Sequence, residues 1–188
     1  MLDIVAADTV LHHRHVCPPE HVCSPCAQTL PTPRRVELVL ARSAQAEEVV
    51  RGLHAAGRAV HLVTGGFLPL VEPLAARLGI PPARVHANRL LFTPGGAYAG
   101  FDPAQPTARA GGKRAAVAAI KAAAAAAGDG ARAVTAVMVG DGATDAEARG
   151  AGAADAFVAY GGVARRGAAA AAADWRITDL RALLACLK

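Results

Sequence analysis

The sequence predicts an α/β fold: a doubly wound parallel sheet with helices on both faces. Two observations predict it. Apolar runs of strand length alternate with helical stretches of about 10–15 residues, the pattern of βαβ units. The predicted strands also end in short loops rich in Gly, Thr and Asp, and ligands of such sheets bind beyond the carboxyl ends of the strands. At 188 residues the chain suits one domain, or one domain with a small appendage.

Taken in order, residues 1–40 show no sustained periodicity and read as a poorly specified N-terminal segment, while residues 41–188 read as the core. Ala44 to Ala56 places Ala46, Val49, Val50 and Leu53 at helical spacing and stops at Gly57. Ala59 to Val63 is a short apolar strand that runs into Thr64-Gly-Gly66. Phe67 to Leu78 is helical, ended by Gly79 and the Pro81-Pro82 pair. Val85 to Gly100 reads as a hairpin around Thr93-Pro-Gly-Gly96. Lys113 to Ala127 is a helix and Val134 to Val139 a buried strand. Gly140-Asp-Gly-Ala-Thr-Asp145 then opens a further helix. A strand at Ala156–Tyr160, a helix at Arg165–Ala173, a strand at Trp175–Ile177 and a helix at Asp179–Leu187 complete the chain.

The 53% hydrophobic fraction owes much to alanine, so the core is expected to be Val, Leu and Ala between closely packed helices. The net charge of +5 comes from scattered arginines. Without a basic run or basic–aromatic interleaving it points to a solvated surface and an anion site, not to nucleic acid. No stretch is long and apolar enough for a membrane span, and residues 1–16 lack the apolar centre of a signal peptide. Four Cys without such a signal imply reduced thiols in an intracellular protein, cytoplasmic or plastid.

Three loops carry chemistry. In Gly140-Asp-Gly-Ala-Thr-Asp145, two carboxylates four residues apart can hold a hard cation such as Mg²⁺ beside a phosphate. The plainer alternative is an acidic helix start in which Asp145 complements the dipole. In Thr64-Gly65-Gly66, a hydroxyl and two small residues at a strand-to-helix turn let backbone N–H groups approach an anion. Lys113, leaving a Gly-Gly turn at a helix start, suits an ammonium that pairs with phosphate; alone it reads equally as a solvated surface Lys.

In this order the pieces resemble the haloacid-dehalogenase phosphatases, with their Ser/Thr, Lys and Gly-Asp-x-x-x-Asp motifs. The resemblance narrows to the eukaryotic-type phosphoserine phosphatases through Val63-Thr-Gly-Gly-Phe67, Ala87-Asn-Arg-Leu90, Tyr98-Ala-Gly-Phe-Asp102, Gln105-Pro-Thr107, Gly111-Gly-Lys113, Ala154-Asp-Ala-Phe157 and Tyr160-Gly-Gly162. It implies a Rossmann-like core and Mg²⁺-dependent hydrolysis of O-phospho-L-serine in serine biosynthesis. By resemblance Thr64 and Lys113 are catalytic, and Thr64, Gly65, Gly66, Lys113, Thr144 and Arg166 bind phosphate. Asp141 binds the metal, with Asp145 orienting that site. The partner implied is a small phosphomonoester, with at most a second copy of the chain, and neither nucleic acid nor membrane.

One motif of that family is missing. Its nucleophile lies in an Asp-x-Asp at the end of the first strand, and no Asp-x-Asp occurs in this chain. Asp8-Thr9-Val10 echoes only the motif's tail, and the span from Asp8 to Thr64 is too short for the usual helical cap. Residues 1–40 are therefore expected to replace the first strand and cap; Cys23-x-x-Cys26 with neighbouring His is a weaker zinc alternative. Two other functions stay open: a phosphatase of another small phosphomonoester, and a phosphate-binding remnant or regulatory partner without catalysis.

Overall fold

A buried parallel strand is apolar on both faces, and runs such as Val137-Met-Val139 and Phe157-Val-Ala159 have that character. In the computed structural model, which describes residues 2–7, 44–127, 134–162 and 167–185, they stand in a six-stranded, wholly parallel sheet. Its strands are β1 (Leu2–Ala7), β2 (Val60–Phe67), β3 (Val85–Asn88), β6 (Thr135–Gly140), β7 (Ala156–Tyr160) and β8 (Trp175–Ile177). They lie in the order β3-β2-β1-β6-β7-β8. Strands β4 (Leu90–Phe92) and β5 (Tyr98–Phe101) form a separate antiparallel hairpin.

The first strand corrects the sequence reading. Leu2–Ala7 fell in the segment expected to carry no regular element, yet it pairs with β2 on one side and β6 on the other. Central parallel strands lack the polar–apolar alternation that betrays a half-buried strand, and this one is only six residues long. The first-strand position is therefore filled. The Cys23/Cys26 pair lies outside the described residues. The predicted hairpin is also redrawn: Val85–Asn88 joins the main sheet, and only Leu90–Phe92 and Tyr98–Phe101 fold back on each other.

Helices α1 (Ala44–Ala55), α2 (Leu68–Arg77), α3 (Gly112–Ala127), α4 (Ala143–Ala146), α5 (Gly167–Ala172) and α6 (Ala182–Ala185) cover the sheet. Val49, Val50 and Leu53 of α1, Ala75 of α2 and Leu183 of α6 pack with Val60, Val139, Val158 and Tyr160 in one cluster. Ala116, Val117 and Ile120 of α3 and Ala169 of α5 pack with Val63, Met138, Phe157 and Ala159 in another. Adjacent residues such as Met138 and Val139 thus serve opposite layers, as the period of two along a strand requires. Fully burying a side chain such as Leu53 or Phe157 contributes about 1.5–3 kcal/mol. Among the described residues no helix is long and apolar enough to cross a membrane.

Candidate active site

The strands deliver their loops to one edge of the sheet. Ala7 is paired with Val63, and Ala6 with Val139, so Thr64 within β2 and Asp141 just past β6 follow directly on the residues paired with the end of β1. At that edge the ladder between β2 and β3 breaks. Between the paired Val63 and Phe67, β2 has three residues where β3, between His86 and Asn88, has one. Thr64-Gly65-Gly66 therefore carries two residues too many for the ladder, a bulge that re-aims backbone groups out of the sheet. Thr64 is buried at 3% exposure, and its Oγ1 accepts the Gly66 N–H at 2.8 Å. In this conformation the Gly66 amide therefore serves the loop itself.

Lys113 and Asp145, 32 residues apart in sequence, meet here. Lys113 Nζ donates to Asp145 Oδ1 at 2.6 Å, and the Gly142 N–H donates to Asp145 Oδ2 at 2.9 Å. The Asp145 side chain is 1% exposed and that of Lys113 is 13% exposed. Burial raises the Asp145 pKa, opposed by the charge and hydrogen bond of Lys113 and by the Gly142 amide. Gly140 makes room for this carboxylate: a Cβ there would lie 2.3 Å from Asp145 Oδ2. Asp141, 5% exposed, sits at the start of the same loop.

This arrangement divides the two predicted metal residues. Both oxygens of Asp145 are engaged by Lys113 and Gly142, so Asp145 anchors the lysine and the loop. Asp141 is the carboxylate at this edge whose chemistry fits a hard cation, since Mg²⁺ takes oxygen donors and keeps several positions for water and phosphate. Among the described residues no cluster of three or more His, Cys, Asp and Glu is built to enclose a metal. Thr144 is on α4, in the same loop, and is exposed. Arg166 lies outside the described residues.

Sequence reasoning missed three features of this region. Asn88 and Thr107, each within a motif quoted only for its resemblance, join the Thr64–Gly66 loop to the start of α3. Beneath the loop, His61 of β2 and His86 of β3 stack at 5.6 Å with an interplanar angle of 25°. His61 Nδ1 and His86 Nε2 share a hydrogen bond of 3.3 Å. Burial, then the charges of His86 and Arg84, lower the His61 pKa to about 4; burial also lowers that of His86. The parallel pairing that brings these two rings together is a long-range fact that local periodicity does not carry.

A parallel sheet whose carboxyl edge gathers a hydroxyl–glycine bulge, a lysine and two aspartates is a Rossmann-like α/β fold. The chain belongs to the haloacid dehalogenase-like hydrolase family, whose sequence pattern it matches over residues 7–149. Phosphatases of that family are generally metal-dependent. The chain is 45% identical over 138 residues to the chloroplastic phosphoserine phosphatase of Arabidopsis thaliana, an alignment covering 73% of this chain and 44% of that one. With the phosphoserine phosphatase of Bos taurus it shares 43% identity over 141 residues, 75% of this chain and 59% of the relative. It thus spans about half the length of these curated relatives. Among solved structures, a substrate-bound phosphoserine phosphatase complex superposes with a TM-score of 0.55 at 27% identity, over 82% of this chain and 70% of that one.

Proposed function

We propose that this chain carries the phosphate-handling core of the Mg²⁺-dependent phosphoserine phosphatases, enzymes that hydrolyse O-phospho-L-serine to L-serine and phosphate. The observation that carries this reading is the Lys113–Asp145 contact of 2.6 Å, which holds an ammonium at the Asp141–Asp145 loop on the carboxyl edge of the sheet. The relatives' names support the choice of phosphoserine. In this reading Thr64 and the Gly65–Gly66 backbone hold phosphoryl oxygens, and Lys113 offsets their charge. Thr144 and Arg166 add further phosphate contacts. Asp141 would hold the metal, which, when bound, supplies charge neutralisation at the phosphate. An aqueous compartment, cytoplasm or plastid, and a role in serine biosynthesis follow from the same reading.

Turnover needs more than binding. A carboxylate must attack phosphorus, and a second group must protonate the leaving serine oxygen. Asp141 and Asp145 have other work in this site. Asp8, outside the described residues, is the next residue in sequence after β1, and the position two beyond it is Val10. That departure from Asp-x-Asp favours a second reading: a site that binds phosphate esters and releases phosphate negligibly. Losing a nucleophile in a comparable covalent mechanism costs on the order of 10⁶ in turnover.

Phosphate release from O-phospho-L-serine, measured on residues 1–188 and on Asp8→Asn, separates the two. Negligible release from both is expected. Robust release abolished by Asp8→Asn would establish Asp8 as nucleophile and overturn the binding-only reading. Release that survives the substitution would place the nucleophile elsewhere.

A further inference from the structure

Two motifs, Ala87-Asn-Arg-Leu90 and Gln105-Pro-Thr107, have no part in the chemistry above, and the structure brings them into contact. Thr107 Oγ1 donates to Asn88 Oδ1 at 2.8 Å, and Asn88 Nδ2 donates to the Gly65 carbonyl at 2.9 Å. Thr107 is buried at 9% exposure in the 3₁₀ turn Pro106–Ala108. That turn is pressed onto the first residue of α3, since a Cβ on Gly112 would lie 2.0 Å from the Pro106 carbonyl oxygen. Lys113 is the next residue. A continuous set of contacts therefore runs from the bulge, through Asn88 and Thr107, to the helix that carries the lysine.

The bulge needs such a support. Thr64-Gly65-Gly66 has left the β2–β3 ladder, and two adjacent glycines are the residues with most backbone freedom to lose. Asn88 is itself fixed, because it is paired with Phe67 at the point where the ladder resumes. Its amide orientation is set from both sides: the Thr107 hydroxyl donates to the oxygen, and the Gly65 carbonyl accepts from the nitrogen. A carboxylate in its place would turn an oxygen toward the Gly65 oxygen.

We propose that Asn88, oriented by Thr107, is a positioning residue that holds the Gly65 peptide in the bulge conformation and keeps the loop in register with Lys113. This rests on the phosphate-site reading for its purpose, although not for its geometry.

The test uses the full chain and three substitutions: Asn88→Asp and Thr107→Val, which remove one bond each at nearly constant volume, and Thr107→Ser, which keeps the hydroxyl. Two quantities are read, the dissociation constant for inorganic phosphate with Mg²⁺ and the hydrogen-exchange rate of the Gly66 amide. Asn88→Asp and Thr107→Val are expected to weaken phosphate about tenfold or more. Both should also speed Gly66 exchange about tenfold, relative to the ladder amides of β1 and β6. Thr107→Ser is expected to stay within about twofold of the parent in both. Gly66 exchange unchanged in Asn88→Asp or Thr107→Val overturns the proposal, and so does faster exchange at unaltered phosphate affinity. If the parent chain binds no phosphate, the functional reading fails; the positioning claim fails with it only if Gly66 exchange is also unmoved.

Discussion

At the scale of single residues, the site depends on a nearly dry ion pair. A buried pair contributes little over an apolar replacement, but removing one partner strands the other. Lys113→Met should therefore destabilise the chain by about 3 kcal/mol, the low end of the range for broken buried pairs, because the lysine retains some exposure. Lys113→Met combined with Asp145→Leu should recover much of that loss. Chemical denaturation of the single and double variants measures both. The His61–His86 contact gives a pH dependence of definite sign. Folded His61 stays neutral down to about pH 4, whereas the unfolded side chain titrates near 6.5. Between those values the unfolded chain binds more protons, so stability is complete above the upper one and falls as pH drops toward the lower. The Arg84 charge is one cause of that lowering and so widens the window. Denaturation midpoints near pH 7 and near pH 5 should differ less in His61→Phe than in the parent chain.

Elements show how far the sequence could be read. The Thr64–Gly66 turn, the Lys113 helix start and the Asp141–Asp145 loop were legible because each is local: a residue type at a strand end or a helix start. Their common edge followed from the rule for parallel sheets. What the sequence did not show is which groups touch across the gaps between them. Lys113 reaches Asp145 rather than standing clear toward phosphate, and Asn88 reaches back across the bulge. The β2–β3 ladder that joins His61 to His86 was hidden for the same reason, since Val85–Asn88 reads locally as half of a hairpin. β1 was missed because six residues, apolar but for Asp3, precede a long stretch of unrelated composition. The contact between Gly112 and Pro106 gives this scale its own prediction. Gly112→Ala should destabilise the fold by about 1–3 kcal/mol, the usual range for overpacking. It should also displace the Pro106–Ala108 turn, seen as a change in the amide chemical shifts of Thr107 and Gly65. A neutral substitution with unmoved shifts would mean that the turn and the helix are not in contact.

For the molecule as a whole, separate parts of the chain meet at the carboxyl edge of the sheet, where we place the proposed phosphate and metal site. β1 pairs with β2 and β6 along their length, so binding at the edge should be felt by the whole sheet. The excess positive charge, +5 in all, favours an anion there without specifying it. Ligand linkage tests the claim most directly. Thermal unfolding of the chain is followed with phosphate and Mg²⁺ separately and together, then repeated on Asp141→Asn. With phosphate at about 100 times its dissociation constant, stability should rise by about 2.7 kcal/mol. The part that depends on Mg²⁺ should disappear in Asp141→Asn. An unfolding temperature indifferent to phosphate and Mg²⁺, or a full response retained in Asp141→Asn, would contradict the assembled site.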